Sequence, residues 1–99
     1  MILTTTNSVD GYRISEYKGI VSGISVNMQK IKMTFSMDKY YKAMQESITE
    51  IKEIAFQQLK DNAIALNANA VVGIKVDIEL TQSNSTVISV TGTAVSIVK

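Results

Sequence analysis

The chain has 99 residues, 45% of them hydrophobic, with 10 basic residues against 9 acidic ones and neither cysteine nor histidine. That length fits a single domain over residues 1–99 with a thin core, and a net charge of +1 exerts no long-range pull on nucleic acid or an anionic membrane. Without cysteine or histidine there are no disulfides, thiolate metal sites, thiol nucleophiles or imidazole bases, so most familiar enzyme chemistry is excluded and no cofactor is implied.

Residues 1–6 carry no basic leader, and no apolar run approaches the ~20 residues that span a bilayer, so the expectation is a soluble cytoplasmic protein. Over residues 12–26 the even positions Ile14, Ile20, Ile24 and Val26 are apolar, while Arg13, Ser15, Gly19, Gly23 and Ser25 are small or polar. This period of two predicts a long strand with the even positions as its apolar face. Glu16 and Lys18 interrupt that face, and Gly19 and Gly23 predict a bend, a bulge or a closely approaching backbone.

From Ser36 to Leu66 the period changes to 3.6. Met37, Tyr40, Tyr41, Met44, Ile48, Ile51, Ala55, Leu59 and Leu66 form one helical stripe. Ser36 suits the N-cap, Asp38 the first turn, and Asn67 the left-handed residue that ends a helix. Lys39, Lys42, Glu46, Glu50, Glu53 and Lys60 mark a solvated face. Ile54, Phe56 and Ile64 fall off the stripe and suggest a second contact surface.

Residues 70–81 alternate, with Val72, Ile74, Val76, Ile78 and Leu80 on one side and Gly73, Lys75, Asp77 and Glu79 on the other. Turn residues Gln82, Ser83, Asn84 and Ser85 follow, then a strand over 86–98, so the pair reads as an antiparallel hairpin. In the last strand Ile88, Val90 and Ala94 take one side, and Ser89, Thr91 and Thr93 the other. Val87, Val95 and Ile97 join that polar side, which implies burial on both faces near the C-terminus. A helix of about 30 residues rises ~45 Å and a strand of about 15 reaches roughly 50 Å, against a radius of gyration near ~13 Å for a compact domain of this size. Elements of that length call for cover from other copies of the chain.

Several short motifs in order carry a resemblance: Thr5-Thr6; Gly11-Tyr12-Arg13-Ile14 with Tyr17; residues 19–23, Gly-Ile-Val-Ser-Gly; residues 63–74 from helix end to strand; and residues 90–95, Val-Thr-Gly-Thr-Ala-Val. Nearly end to end, the chain resembles the YbjQ-like family of small bacterial proteins, some labelled as heavy-metal-binding. The resemblance implies an α+β fold in which an antiparallel sheet packs against one long helix in the order β-β-α-β-β, akin to the dodecin type of subunit. It further implies ring assemblies, commonly pentamers, and no established activity. Residues 27–35 depart from the family in lacking glycine and arginine, and Asn67 stands where the family usually has glycine.

Candidate sites follow from residue chemistry. Arg13 and Tyr17, read as projecting from the outer side of the first strand, offer an anion fork and an aromatic surface. Tyr40 and Tyr41 with Lys30, Lys32 and Lys39 combine stacking surface with positive charge, although the tyrosines also fit the apolar stripe. Thr91 and Thr93 extend a hydroxyl row able to line a cleft between subunits. The expectation is a non-enzymatic homo-oligomer, a pentameric ring, that sequesters a small anionic ligand such as a nucleotide at subunit interfaces through Arg13, Tyr17, Lys30, Lys32, Tyr40, Tyr41, Thr91 and Thr93. No metal site is assigned, and no nucleic acid or membrane is expected as a partner. Two alternatives stand beside it: an interaction ring that docks a protein through Ile54, Phe56 and Ile64, and a carboxylate site for a hard cation or for acid–base work at Asp77 and Glu79.

Overall fold

The structure, a computed structural model, describes residues 1–28, 37–81 and 85–99. Its elements are β1 (Ile2–Leu3), β2 (Arg13–Met28), α1 (Met37–Ala65), β3 (Ala70–Leu80) and β4 (Ser85–Val98). The strands form one sheet in the order β1-β3-β4-β2, with α1 lying over β2 and β4 and meeting β3 only slightly. β2 and β3 both pair antiparallel with β4, but β1 runs parallel to β3, with Ile2 beside Ala70 and Leu3 beside Val71. The sheet is therefore mixed rather than antiparallel throughout. A two-residue strand carries no periodicity to announce it, so only the tertiary pairing reveals the parallel edge.

Residues directly opposite in a ladder share a face, which fixes the two sides of the sheet. Val21, Gly23 and Ser25 of β2 pair with Gly92, Val90 and Ile88 of β4, and all six are buried. They lie under α1, whose Ile51, Ala55, Leu59 and Ala63 complete the main core with Val71, Ile74 and Ala94. The apolar even positions of β2 point away from the helix: Ile20, Ile24 and Val26 are 84%, 57% and 54% exposed. This inverts the face expected from hydropathy. The reason is the short distance between helix and sheet: a Cβ at Gly23 would lie 2.0 Å from the carbonyl oxygen of Ala55, so only the small odd positions fit beneath the helix.

Gly73 has φ +62 and sits at a register shift between Val72 and Lys75. The bulge separates residues that strict alternation had put on one side. Val72 turns to the outer face, whereas Ile74 packs in the main core under the helix. Val76 and Ile78 pair with Val90 and Ile88 and so share the helix side. The helix does not reach them, and Val76, Ile78 and Leu80 are 40%, 52% and 68% exposed.

Burial on both faces near the C-terminus holds. Val95 and Ile97 form a second cluster on the outer face with Ala70 and Val72, and its cover comes from the chain's own N-terminal segment through Ile2, Val9 and Ile14. Asn69 fixes that corner by imitating a strand residue: its Nδ2 donates to the Ile97 carbonyl at 3.0 Å, and its Oδ1 accepts from the Ile97 amide at 2.7 Å.

The helix ends as the sequence foretold. Asn67 takes φ +63, the Ala68 amide donates to Ala63 O at 3.1 Å and the Asn67 amide to Ile64 O at 2.9 Å, the paired bonds of a Schellman cap. Ala63 and Ala68, the two ends of that motif, are both buried in the main core. Ser36 and residues 82–84, assigned to the N-cap and the hairpin turn, lie outside the described residues.

Candidate functional site

Two register shifts in β2, between Ile14 and Glu16 and between Tyr17 and Gly19, decide where the first site candidates point. Arg13 pairs with Val98 and Tyr17 with Val95. Those partners are three apart on β4, so Arg13 and Tyr17 belong to opposite faces instead of projecting together. Tyr17 lies on the outer face and is 70% exposed, next along the strip to Ile20. Gly19, with φ +133, supplies the backbone conformation that the second shift requires.

The hydroxyl row shares Tyr17's face. Thr93 pairs with Ile20, Thr91 with Ser22, and Ser89 with Ile24. On the other flank of β4, Lys75 faces Thr91, Asp77 faces Ser89 and Glu79 faces Val87. The uncovered outer face is thus banded: an apolar lane on β2, a hydroxyl lane on β4 and a charged lane on β3. The structure brings Tyr17, Thr91 and Thr93 onto one surface. An open tyrosine ring beside hydroxyl donors can stack a flat group and hydrogen-bond its substituents.

Close to Arg13 the charges are partly engaged. Lys18 Nζ lies 2.9 Å from Glu16 Oε2, and Lys99 Nζ sits 5.7 Å over the ring of Tyr12. The remaining candidates lie elsewhere. Asn27 donates to Ser47 Oγ, and a Cβ at Gly19 would lie 4.0 Å from Leu66, so α1 runs along β2 with its C-terminal end beside Gly19. Tyr40 and Tyr41 stand in the first turns of α1, about 25 residues from Leu66 and hence roughly 37 Å along the axis. No ligand of nucleotide size touches both them and Tyr17 within one subunit. Lys30 and Lys32 lie outside the described residues, as do the side chains of Tyr40 and Tyr41.

A groove of about 660 Å³ is lined, among the described residues, by Asn27, Gln45, Glu46, Ser47, Thr49, Glu50 and Glu53. Among the described residues no expected site residue lines it, and those that do include three glutamates, Glu46, Glu50 and Glu53. Asp77 and Glu79 share the exposed outer lane with Lys75. Among the described residues no group of three or more carboxylates converges as a metal site, and no helix is long and apolar enough to cross a membrane.

The pattern of the YbjQ_1 family, described as "Putative heavy-metal-binding", matches residues 1–98. A UPF0145 protein of Acetivibrio thermocellus is 31% identical over 104 residues, covering 99% of this chain and 98% of that protein. One from Clostridium kluyveri is 33% identical over 104 residues with the same coverage, and one from Halalkalibacterium halodurans is 33% identical over 103 residues. Among solved structures, a protein of unknown function from Pediococcus pentosaceus, assigned to the DUF74 family, shares the fold with a TM-score of 0.72 at 26% identity, covering 99% of this chain and 98% of that one.

A heavy-metal centre calls for soft or borderline donors, thiolate or imidazole above all. This chain contains neither residue type; its five methionines offer only weak thioether donors, and its carboxylates suit hard cations. The donor set therefore lacks the strong ligands that a heavy-metal centre uses. The match in sequence nevertheless runs from residue 1 to residue 98, and the fold agrees over nearly the whole length, so the chain belongs to the YbjQ family.

Proposed function

We propose that this chain is one subunit of a homo-oligomeric ring, a pentamer, that takes up a small anionic ligand of the nucleotide class at its subunit interfaces and catalyses no reaction. The observation that carries the reading is Tyr17: its ring is 70% exposed and continues an apolar lane that begins at Ile20, itself 84% exposed. Such a surface on so small a domain is accounted for by a neighbour or a ligand covering it. Because Arg13 and Tyr17 face opposite ways in one chain, the site is shared. A base stacks on Tyr17 of one subunit near Thr91 and Thr93, and its phosphates meet Arg13 of the next.

Removing a stacking aromatic costs ~1–3 kcal/mol, or about 5- to 150-fold in affinity. The test is equilibrium binding of a fluorescent ATP analogue to wild type, Tyr17→Ala and Arg13→Ala, with assembly checked by native mass spectrometry. Each variant is expected to bind at least fivefold more weakly in an intact ring. Undiminished binding in a still-assembled ring removes the site assignment. A second reading draws on α1, where Ile54 and Ile64 are 50% and 53% exposed: the ring docks a protein there. An empty wild-type ring from which Ile54→Asp strips a co-purifying partner would favour it.

A further inference from the structure

One edge of the sheet is closed for only part of its length. The N-terminal segment follows β3 as far as Ile74: β1 pairs with Ala70 and Val71, the Gly73 amide donates to the Thr6 carbonyl at 2.8 Å, and the Ile74 amide donates to the Thr4 carbonyl at 3.1 Å. From Lys75 to Leu80, β3 pairs with β4 alone. Successive residues of a strand aim their amides and carbonyls to alternate sides. The Ile74 amide points away from β4, to Thr4, whereas just past the strand the Thr81 amide points toward β4, donating to the Ser85 carbonyl at 2.8 Å. Both bonds fix the same alternation. The amides and carbonyls of Val76, Ile78 and Leu80 therefore point to the open edge, and among the described residues nothing bonds them there.

The side chains along this edge suit a partner strand. Val76, Ile78 and Leu80 are exposed on the helix side, while Lys75, Asp77 and Glu79 are exposed on the outer side. A strand added here lays its alternate side chains beside those two rows, so apolar residues fit the aliphatic row and basic residues face Asp77 and Glu79. A second copy of this chain fits poorly. An antiparallel copy of β3 aligned over Val76 to Leu80 sets Asp77 opposite Glu79 twice, where like charges repel. The edge of β2 is already occupied by α1, since the Ile24 amide donates to Gln58 Oε1 at 3.0 Å and Asn62 Nδ2 donates to the Ser22 carbonyl at 2.8 Å. Charges of this kind keep an edge from pairing with itself without closing it to a segment of opposite sign.

We infer that the open edge of β3, from Lys75 to Leu80, is a strand-addition site for an extended basic segment of a partner protein, about five or six residues in which apolar side chains alternate with lysine or arginine. The segment's backbone bonds to Val76, Ile78 and Leu80, its apolar residues lie along their side chains, and its cations face Asp77 and Glu79. The site lies across β4 from Tyr17, so it goes beyond the ligand surface proposed there and is tested separately from it.

The probe is the peptide acetyl-Val-Lys-Ile-Lys-Val-amide, titrated into the full chain while amide hydrogen exchange is read by NMR. Two controls accompany it, acetyl-Val-Glu-Ile-Glu-Val-amide and the non-alternating isomer acetyl-Lys-Lys-Val-Ile-Val-amide. The expected result is slowed exchange at the amides of Val76, Ile78 and Leu80 with the alternating basic peptide and with neither control. Asp77→Asn combined with Glu79→Gln, both at exposed positions, should weaken that peptide roughly 2- to 30-fold, the range for two cross-strand charge pairs. No binding, binding that leaves those amides unprotected, or equal binding of either control overturns the inference, as does a double variant that binds as tightly as wild type. Amides of Val76, Ile78 and Leu80 that are already protected before peptide is added show the edge held by another copy of the chain and overturn it too.

Discussion

Gly23→Ala is the sharpest probe of how helix and sheet are joined. The added Cβ would lie 2.0 Å from Ala55 O and 3.0 Å from both Ala55 C and Leu59 N. A carbon–oxygen contact normally rests at ~3.3 Å, so α1 must move by about 1.3 Å, and because the obstacle is backbone no rotamer change relieves it. Lifting the helix loosens the contacts of Ile51, Ala55, Leu59 and Ala63 together. A gap of 0.5–1 Å already forfeits a quarter to a half of each contact, which over the ~50 contacts of a buried leucine alone is about 2 kcal/mol. Against this, alanine restricts the unfolded chain by roughly 0.4–1 kcal/mol, a gain open to it because Gly23 has no positive φ. The net expectation is a loss of about 2–4 kcal/mol, or roughly 10–30 °C in Tm at 4–8 °C per kcal/mol. The assay is urea unfolding by circular dichroism at fixed protein concentration, with Gly11→Ala as control. Gly11 has φ +82 but nothing within 4 Å of its would-be Cβ, so its cost is conformational only, about 1 kcal/mol. A Gly23→Ala variant within ~1 kcal/mol of wild type, or no worse than Gly11→Ala, refutes the close-packing account.

Two further expectations concern the helix-to-strand corner. Asn69→Ala removes both bonds to the Ile97 backbone, so a loss of about 2 kcal/mol is expected, together with faster hydrogen exchange at the Ile97 amide. Unchanged exchange there would mean the side chain only decorates the strand. Asn67→Gly should leave stability unchanged or raise it by up to ~1 kcal/mol, since φ +63 is strained for every residue with a Cβ, whereas Asn67→Val should lower it by about 1–2 kcal/mol in thermal unfolding.

The readable parts of this protein were those in which one residue reports on its own surroundings. The run of Ile48, Ile51, Ala55 and Leu59 with Asn67 as a stop defines the helix, because a period of 3.6 and a left-handed terminator are local properties. The mixed apolar and hydroxyl pattern of β4 likewise announced burial on both faces near Val95 and Ile97. The missing histidines and cysteines took thiolate and imidazole ligands out of the available chemistry without any coordinates. Element length suggested cover from other copies, whereas the cover at the C-terminal end comes from Ile2 and Val9 of the same chain.

Tertiary structure alone decided which side of each strand is inside. In β2 hydropathy favoured Ile20, Ile24 and Val26, yet the helix sits on Val21, Gly23 and Ser25, since its backbone approaches too closely for a larger residue at position 23. In β3 the bulge at Gly73 divides Val72 from Ile74, and in β2 the shift between Ile14 and Glu16 divides Arg13 from Tyr17. One extra residue reverses every side chain beyond it, and nothing in composition fixes where that residue falls. Site geometry depends on those parities, so the sequence determined which chemistry this protein has available, and the packing of α1 and the bulges determined where that chemistry faces.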